Sequence, residues 1–275
     1  MSKFSKLLIF SDLHICASGE TIIGLDPEVK LRQALAHATA RHGDADHVVF
    51  LGDLTHHGRL EEFQLLRDIL SSLDLPTTFL VGNHDRRERF LEVFGEAPTT
   101  ASGHVQTSVK LGHTTLITLD TLDGPPYPAG HHSGRLCEHR LGWLEAELDR
   151  AQPGPVLLAM HHPPVETGFE GMDAIRLKDD AAFWNVIAAC ESPVHLLCGH
   201  VHRTISGQAR GVPFTILKST CHQMPMTLQR SSSGSSVDEP GAYGIALLHR
   251  DQIILHTEDF ELSKVDAISR DRHST

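Results

Sequence analysis

Apolar residues fall in short unbroken runs, and each run stops at polar, chemically loaded residues. Leu7-Leu8-Ile9-Phe10 ends in Ser11-Asp12, Val48-Val49-Phe50-Leu51 in Gly52-Asp53, and Thr78-Phe79-Leu80-Val81 in Gly82-Asn83-His84-Asp85. Between them lie stretches with helical spacing. Asp26-Pro27-Glu28 combines an N-cap, a proline for the first turn and an early acid, and Val29, Leu31, Ala34, Leu35 and Ala38 then mark an apolar face before Gly43. Leu60, Phe63, Leu66, Ile69 and Leu73 predict a second helix over 60–73. Strands that are continuously apolar and separated by helices predict a parallel sheet covered on both faces.

The middle of the chain changes period. Val105 to Leu111 and Thr114 to Leu119, joined at Gly112-His113, predict an antiparallel hairpin. A Gly/Pro-rich loop over 124–134, a helix over 138–150, the strand Val156 to Met160 ending in His161-His162-Pro163-Pro164, and a helix over 181–190 follow. The strand Val194 to Cys198 ends in Gly199-His200-Val201-His202, and strands over 213–217, 244–248 and 252–257 close the pattern. Residues 231–241 are expected to form a mobile loop and 261–275 a frayed tail. No linker or repeat divides the chain, so residues 1–275 are expected to form one α/β domain.

The formal charge of −11 disfavours nucleic acid as a partner. No apolar run is long enough to span a membrane, and no basic-then-apolar leader precedes the first strand, which predicts a cytoplasmic protein. Five cysteines, an odd number in no CxxC pair, fit free thiols.

Five strand ends carry the same residue types, and in an open α/β sheet sites form at the carboxyl ends of strands. Asp and His bind borderline metal ions, and Asn adds an oxygen. In Asp12-x-His14 and His200-x-His202 an extended backbone would point both side chains the same way. Asp53, the lone candidate on its strand, suits a carboxylate shared between two ions. Any one of these pairs alone would read as a cap or a surface pair. The remaining histidines, His56 and His132 among them, read as solvated or locally hydrogen-bonded.

Taken in order, Asp12-x-His14, Gly52-Asp53, Gly82-Asn83-His84-Asp85, the histidine before Pro163-Pro164 and Gly199-His200-x-His202 resemble the calcineurin-like metallophosphoesterase family. The chain length, His161-His162-Pro163-Pro164 and His222-Gln223 look most similar to class III cyclic nucleotide phosphodiesterases and related glycerophosphodiesterases. The resemblance implies a four-layer αββα sandwich of two mixed sheets. It implies two metal ions (iron, manganese, zinc or cobalt), one held by Asp12, His14, Asp53 and His202, the other by Asp53, Asn83, His161 and His200. Asn83, His84 and His222 would contact substrate. His84 would act on phosphate or the leaving group, with Asp85 orienting it. Relatives often form dimers, so the resemblance makes a homodimer possible as well.

Two cations answer the chemistry of a phosphodiester, which repels hydroxide. They neutralise its oxygens and acidify a shared water, so that hydroxide attacks phosphorus in line with the leaving oxygen. No Ser- or Cys-centred nucleophile motif is present. The expected substrate is a 3′,5′-cyclic nucleotide, followed by 2′,3′-cyclic nucleotides and glycerophosphodiesters. A phosphomonoesterase on the same core would want arginines beside the ligands, and Arg86 and Arg87 are the candidates. A metal-bearing scaffold without activity would lack a ligand or His84. Loops 124–134, 165–178 and 223–241 are expected to set specificity. Tyr127, Phe169 and Trp184 could line a cleft, with core packing the alternative.

Overall fold

The computed structural model describes residues 4–127, 130, 132–178, 180–228 and 234–261. Among these residues eleven strands form two mixed sheets. The first runs β11 (Ile253–Asp259), β10 (Ala242–Leu248), β1 (Ser5–Phe10), β2 (His47–Leu51), β3 (Thr77–Leu80), with β1, β2 and β3 parallel and β10 antiparallel to β1. The second runs β4 (Thr107–Leu111), β5 (Thr114–Leu119), β6 (Val156–Met160), β7 (Val194–Cys198), β9 (Val212–Ile216), β8 (Ile205–Ala209). Its centre is parallel, and the hairpins β4–β5 and β8–β9 close its edges.

Side-chain alternation sorts the core into three parts. Leu7 and Ile9 of β1, Val49 and Leu51 of β2, and Leu157 and Ala159 of β6 pack between the sheets. Leu8, Phe10, Val48 and Phe50 point the other way, onto helices α1 (Pro27–His42), α2 (Leu60–Leu70) and α3 (Arg87–Val93). The second sheet is covered by α4 (Glu138–Ala151), α5 (Glu170–Asp173) and α6 (Asp180–Ala189), through Leu144, Leu148, Phe183 and Trp184. Strands buried on both faces must be apolar throughout, which is why the runs were unbroken. Helix, sheet, sheet, helix is the expected sandwich.

α1 starts as predicted: the Asp26 carboxylate accepts from the backbone N–H of Glu28 and Val29, at 2.9 and 3.2 Å. α2 stops at Leu70, three residues short of the predicted end. Leu73 packs on the core from a turn, with its N–H donating to Leu70 O at 2.9 Å. β8 and α3 were not foreseen. β8 is an exposed edge strand with Ser-Gly-Gln at its centre, and α3 is a single short, charge-rich stretch.

Residues 231–233 and 262–275 lie outside the described residues, as do the parts of the mobile-loop and tail expectations that fall on them. Glu261 is held: its carboxylate accepts from Lys30 and from Gly241 N. Among the described residues no helix is long and apolar enough to cross a membrane.

Candidate metal centre

The five loaded strand ends converge. Beyond β1 and β2 the two loops keep running side by side: Asp12, His14 and Ile15 N–H donate to Gly52, Asp53 and Leu54 O at 3.2, 2.9 and 3.1 Å. The β3 end is tied in through Asp85. Its buried carboxylate accepts from Gly82 N, Leu54 N, Thr55 N and Thr55 Oγ1, all within 3.1 Å. Asp85 therefore does not orient His84, contrary to expectation. His84 Nδ1 instead donates to His56 O at 2.8 Å, which leaves Nε2 to face the cavity. The second sheet joins through His161 Nδ1, which donates to Leu51 O at 2.8 Å, and through His200 N, which donates to the Asp12 carboxylate.

The convergence is not made by extended backbone, as the x-spacing suggested. Asp12, His14, Asp53, His200 and His202 all adopt positive φ, between 45° and 73°. Leaving the strand in the left-handed region swings each side chain out of the pleat and back over the strand end. Asp and Asn, and to a lesser degree His, tolerate this region better than most residues. The turn also needs empty space. A Cβ on Gly82 would lie 2.2 Å from Asp53 Oδ1, and one on Gly52 2.7 Å from His161 Nδ1.

Two groups of ligand atoms result. Asp12, His14, Asp53 and His202 each bring one donor atom within 4.8 Å of the others. His14 and His202 meet Nε2 to Nε2 at 3.1 Å, and His202 Nε2 lies 3.3 Å from Asp12 Oδ1. Around the other group, three buried atoms have no hydrogen-bond partner: Asn83 Oδ1, His161 Nε2 and His200 Nε2. Asp53 Oδ2 lies between the groups, 3.7 Å from His14 Nε2 and 3.3 Å from His161 Nε2. Orphaned polar atoms of this kind, buried together, are costly unless something occupies the space between them and satisfies them. The donor set fits a pair of metal ions.

Charge tells the same story. Burial works to lower His161, but the Asp53 and Asp12 carboxylates outweigh it and push it up to about 9. His202, likewise buried, is raised by Asp12. Rings without a carboxylate against them stay neutral: burial and neighbouring His161 hold His200 at about 3, burial and His202 hold His222 at about 3, and burial and His84 hold His56 at about 4. At His14 burial and neighbouring His84 outweigh Asp53 and hold the ring well below its ordinary value, so the positive charge drawn by the carboxylates settles on His161 and His202.

Among the described residues a cavity of about 440 Å³ opens over these atoms, lined by His84 and His222 as expected and also by His56 and His132. His56 and His132 were passed over in the sequence. His84 is sandwiched between them, with ring centroids 5.2 Å from His56 and 5.5 Å from His132. His56 Nδ1 lies 3.2 Å from His14 Nδ1, and His132 Nδ1 accepts from Asn83 Nδ2 at 3.1 Å, which turns Asn83 Oδ1 to the cluster. The only sequence cue was that His56 follows Asp53 by three residues; His132 sits in a loop with no pattern. The three loops expected to set specificity all reach the cavity, through His132, through Met172 and Ile175, and through Met224 and Ser235. Tyr127, Phe169 and Trp184 do not line it. Tyr127 donates to Glu88, and the other two are buried in the core of the second sheet.

A family model of calcineurin-like phosphoesterases matches residues 5–204. The chain belongs to that family. A probable cyclic nucleotide phosphodiesterase of Rhodopseudomonas palustris is 40% identical over 93% of this chain and 92% of that protein. A cAMP/cGMP dual specificity phosphodiesterase of Mycobacterium tuberculosis is 28% identical over 88% of this chain and 75% of its own. A glycerophosphodiester phosphodiesterase of Enterobacter lignolyticus is 30% identical over 78% and 77%. In structure, a dimetal phosphatase from Danio rerio superposes with a TM-score of 0.69 at 15% identity, covering 93% of this chain and 96% of that one. This phosphoesterase therefore shares its sandwich fold with a protein to which its sequence is only 15% identical.

Proposed function

We propose that this phosphoesterase hydrolyses phosphodiesters at a pair of metal ions, with 3′,5′-cyclic nucleotides as the leading substrate class. The observation that carries it is the placement of Asp53 Oδ2 between the Asp12–His14–His202 group and the orphaned Asn83, His161 and His200 atoms. Asp12, His14, Asp53 and His202 would hold one ion, and Asp53, Asn83, His161 and His200 the other. When bound, such ions neutralise phosphate oxygens and acidify water.

The chain's own residues supply the rest. With Nδ1–H committed to His56 O, His84 presents Nε2 to the substrate, and as an imidazolium, with both ring nitrogens protonated, it would donate Nε2–H to a phosphate or leaving oxygen. His56 and His132 hold its ring from both faces. His222 lines the same cavity and contacts the substrate.

A diester is favoured over a monoester by what the cavity lacks. Among its described lining residues there is no lysine or arginine to meet a second phosphate charge. Arg87 is engaged with Asp120, and Arg86 with Asp85 O and the face of Tyr127. The similarity to proteins named as cyclic nucleotide phosphodiesterases supports the same choice, and that to glycerophosphodiester phosphodiesterases gives the alternative substrate.

The test is elemental analysis of the purified protein, followed by assays with iron, manganese, zinc or cobalt restored. Two ions per chain and turnover of 3′,5′-cAMP, with bis(p-nitrophenyl) phosphate preferred to p-nitrophenyl phosphate, are expected. A strong preference for the monoester would overturn the proposal.

A further inference from the structure

Part of the cavity's lining is apolar. Ile22, Ile23, Met172, Ile175 and Met224 line it alongside His84 and His222. They come from three segments: the loop after β1, the region of α5, and the loop after β9. Asp53 is the one acid among the described lining residues.

Ile23 is the informative member. Ile22 and Leu25 exchange both backbone hydrogen bonds, at 2.9 and 2.8 Å, around Ile23-Gly24. Ile23 has φ +48° and Gly24 φ +87°, so the pair forms a tight turn with both central residues left-handed. Asn-Gly is the favoured pair there, and a β-branched residue is disfavoured. Burial does not compensate, because Ile23 is 53% exposed. A strained, exposed isoleucine at the edge of a cavity gains its contacts when the cavity is filled.

We propose that these five side chains form a subsite for the flat, uncharged nucleobase of a phosphodiester whose phosphate lies on the histidine side. The proposal deepens the phosphodiesterase reading and rests on it. The face of a base is apolar and polarizable, and methionine sulfur packs well against such rings. A glycerophosphodiester has no group to place there.

The experiment compares kcat/KM for 3′,5′-cAMP and for glycerophosphocholine in the metal-replete wild type and the Ile23→Asn variant, together with inhibition by AMP and by inorganic phosphate. Asparagine suits the left-handed turn, so the melting temperature is expected to hold or rise. The cAMP value is expected to fall about three- to tenfold and AMP inhibition to weaken similarly. Glycerophosphocholine turnover and phosphate inhibition should stay within about twofold. Equal loss on both substrates, or no loss on either, overturns the subsite while wild-type turnover of both leaves the phosphodiesterase reading standing. Wild-type turnover of glycerophosphocholine without cAMP also overturns the subsite alone. Turnover of neither diester overturns both.

Discussion

At the scale of single residues, Asn83 and His84 are neighbours in different surroundings. Asn83 offers a buried, unpartnered Oδ1, whereas His84 has its Nδ1 engaged and its Nε2 toward the cavity. Asn83→Ala is expected to lower the metal content from about two ions to about one and to cut turnover by about 10–100-fold, as loss of a ligand or its support does; unchanged metal analysis would remove Asn83 from the ligand set. His84→Ala is expected to keep both ions and to slow diesters with poor leaving groups most. Equal slowing across a leaving-group series would count against a proton at Nε2. Most of this clustering was legible in the sequence, because Asp, His and Asn recur at the ends of the apolar runs. Asp85 was misread because sequence adjacency suggested His84 as its partner, while its lone pairs go to the backbone of two other loops. His56 and His132 were missed because ring stacking across loops leaves no periodic trace.

Among the elements, the segment after β5 ties its neighbours together without contributing one of the proposed ligands. Asp120, fully buried, accepts from Arg87 Nε and Nη2 at 2.7 and 2.9 Å and from Val105 N and Leu122 N at 2.9 and 3.0 Å. Arg140 donates to Asp120 O and Leu122 O at 2.9 and 3.0 Å. This knot joins α3, β5 and α4 and sets where the loop toward His132 begins. Asp120→Ala would leave the Arg87 guanidinium buried without its counter-charge, and a loss of about 3–5 kcal/mol in urea unfolding is expected; a loss below about 1 kcal/mol would mean that water takes the carboxylate's place. The helices and strands themselves were largely readable from period. α3, α5 and β8 were not, being too short or too exposed for a hydrophobic pattern to register.

For the molecule as a whole, histidines away from the site make the fold sensitive to acid. Burial holds His47 and His195 below 6.5, and burial with nearby Arg140 holds His104 at about 4. In the unfolded chain these rings gain a proton near pH 6.5, while in the folded chain they resist it. The unfolded state thus binds more protons as pH falls below 6.5, and stability declines through that window, for His104 down to about pH 4. The urea midpoint is expected to drop between pH 7 and 5, less so in His104→Gln; identical slopes would acquit His104. The left-handed residues have a bearing on redesign. Among the described non-glycine residues, seven take positive φ, and six of them, all but Arg210, sit in the candidate metal cluster or line the cavity. Glycine at such positions would relieve the strain of the left-handed backbone, a shortcut to a sturdier protein. Here that shortcut leads straight through the reactive centre, so a hardened variant would have to find its gains almost anywhere else.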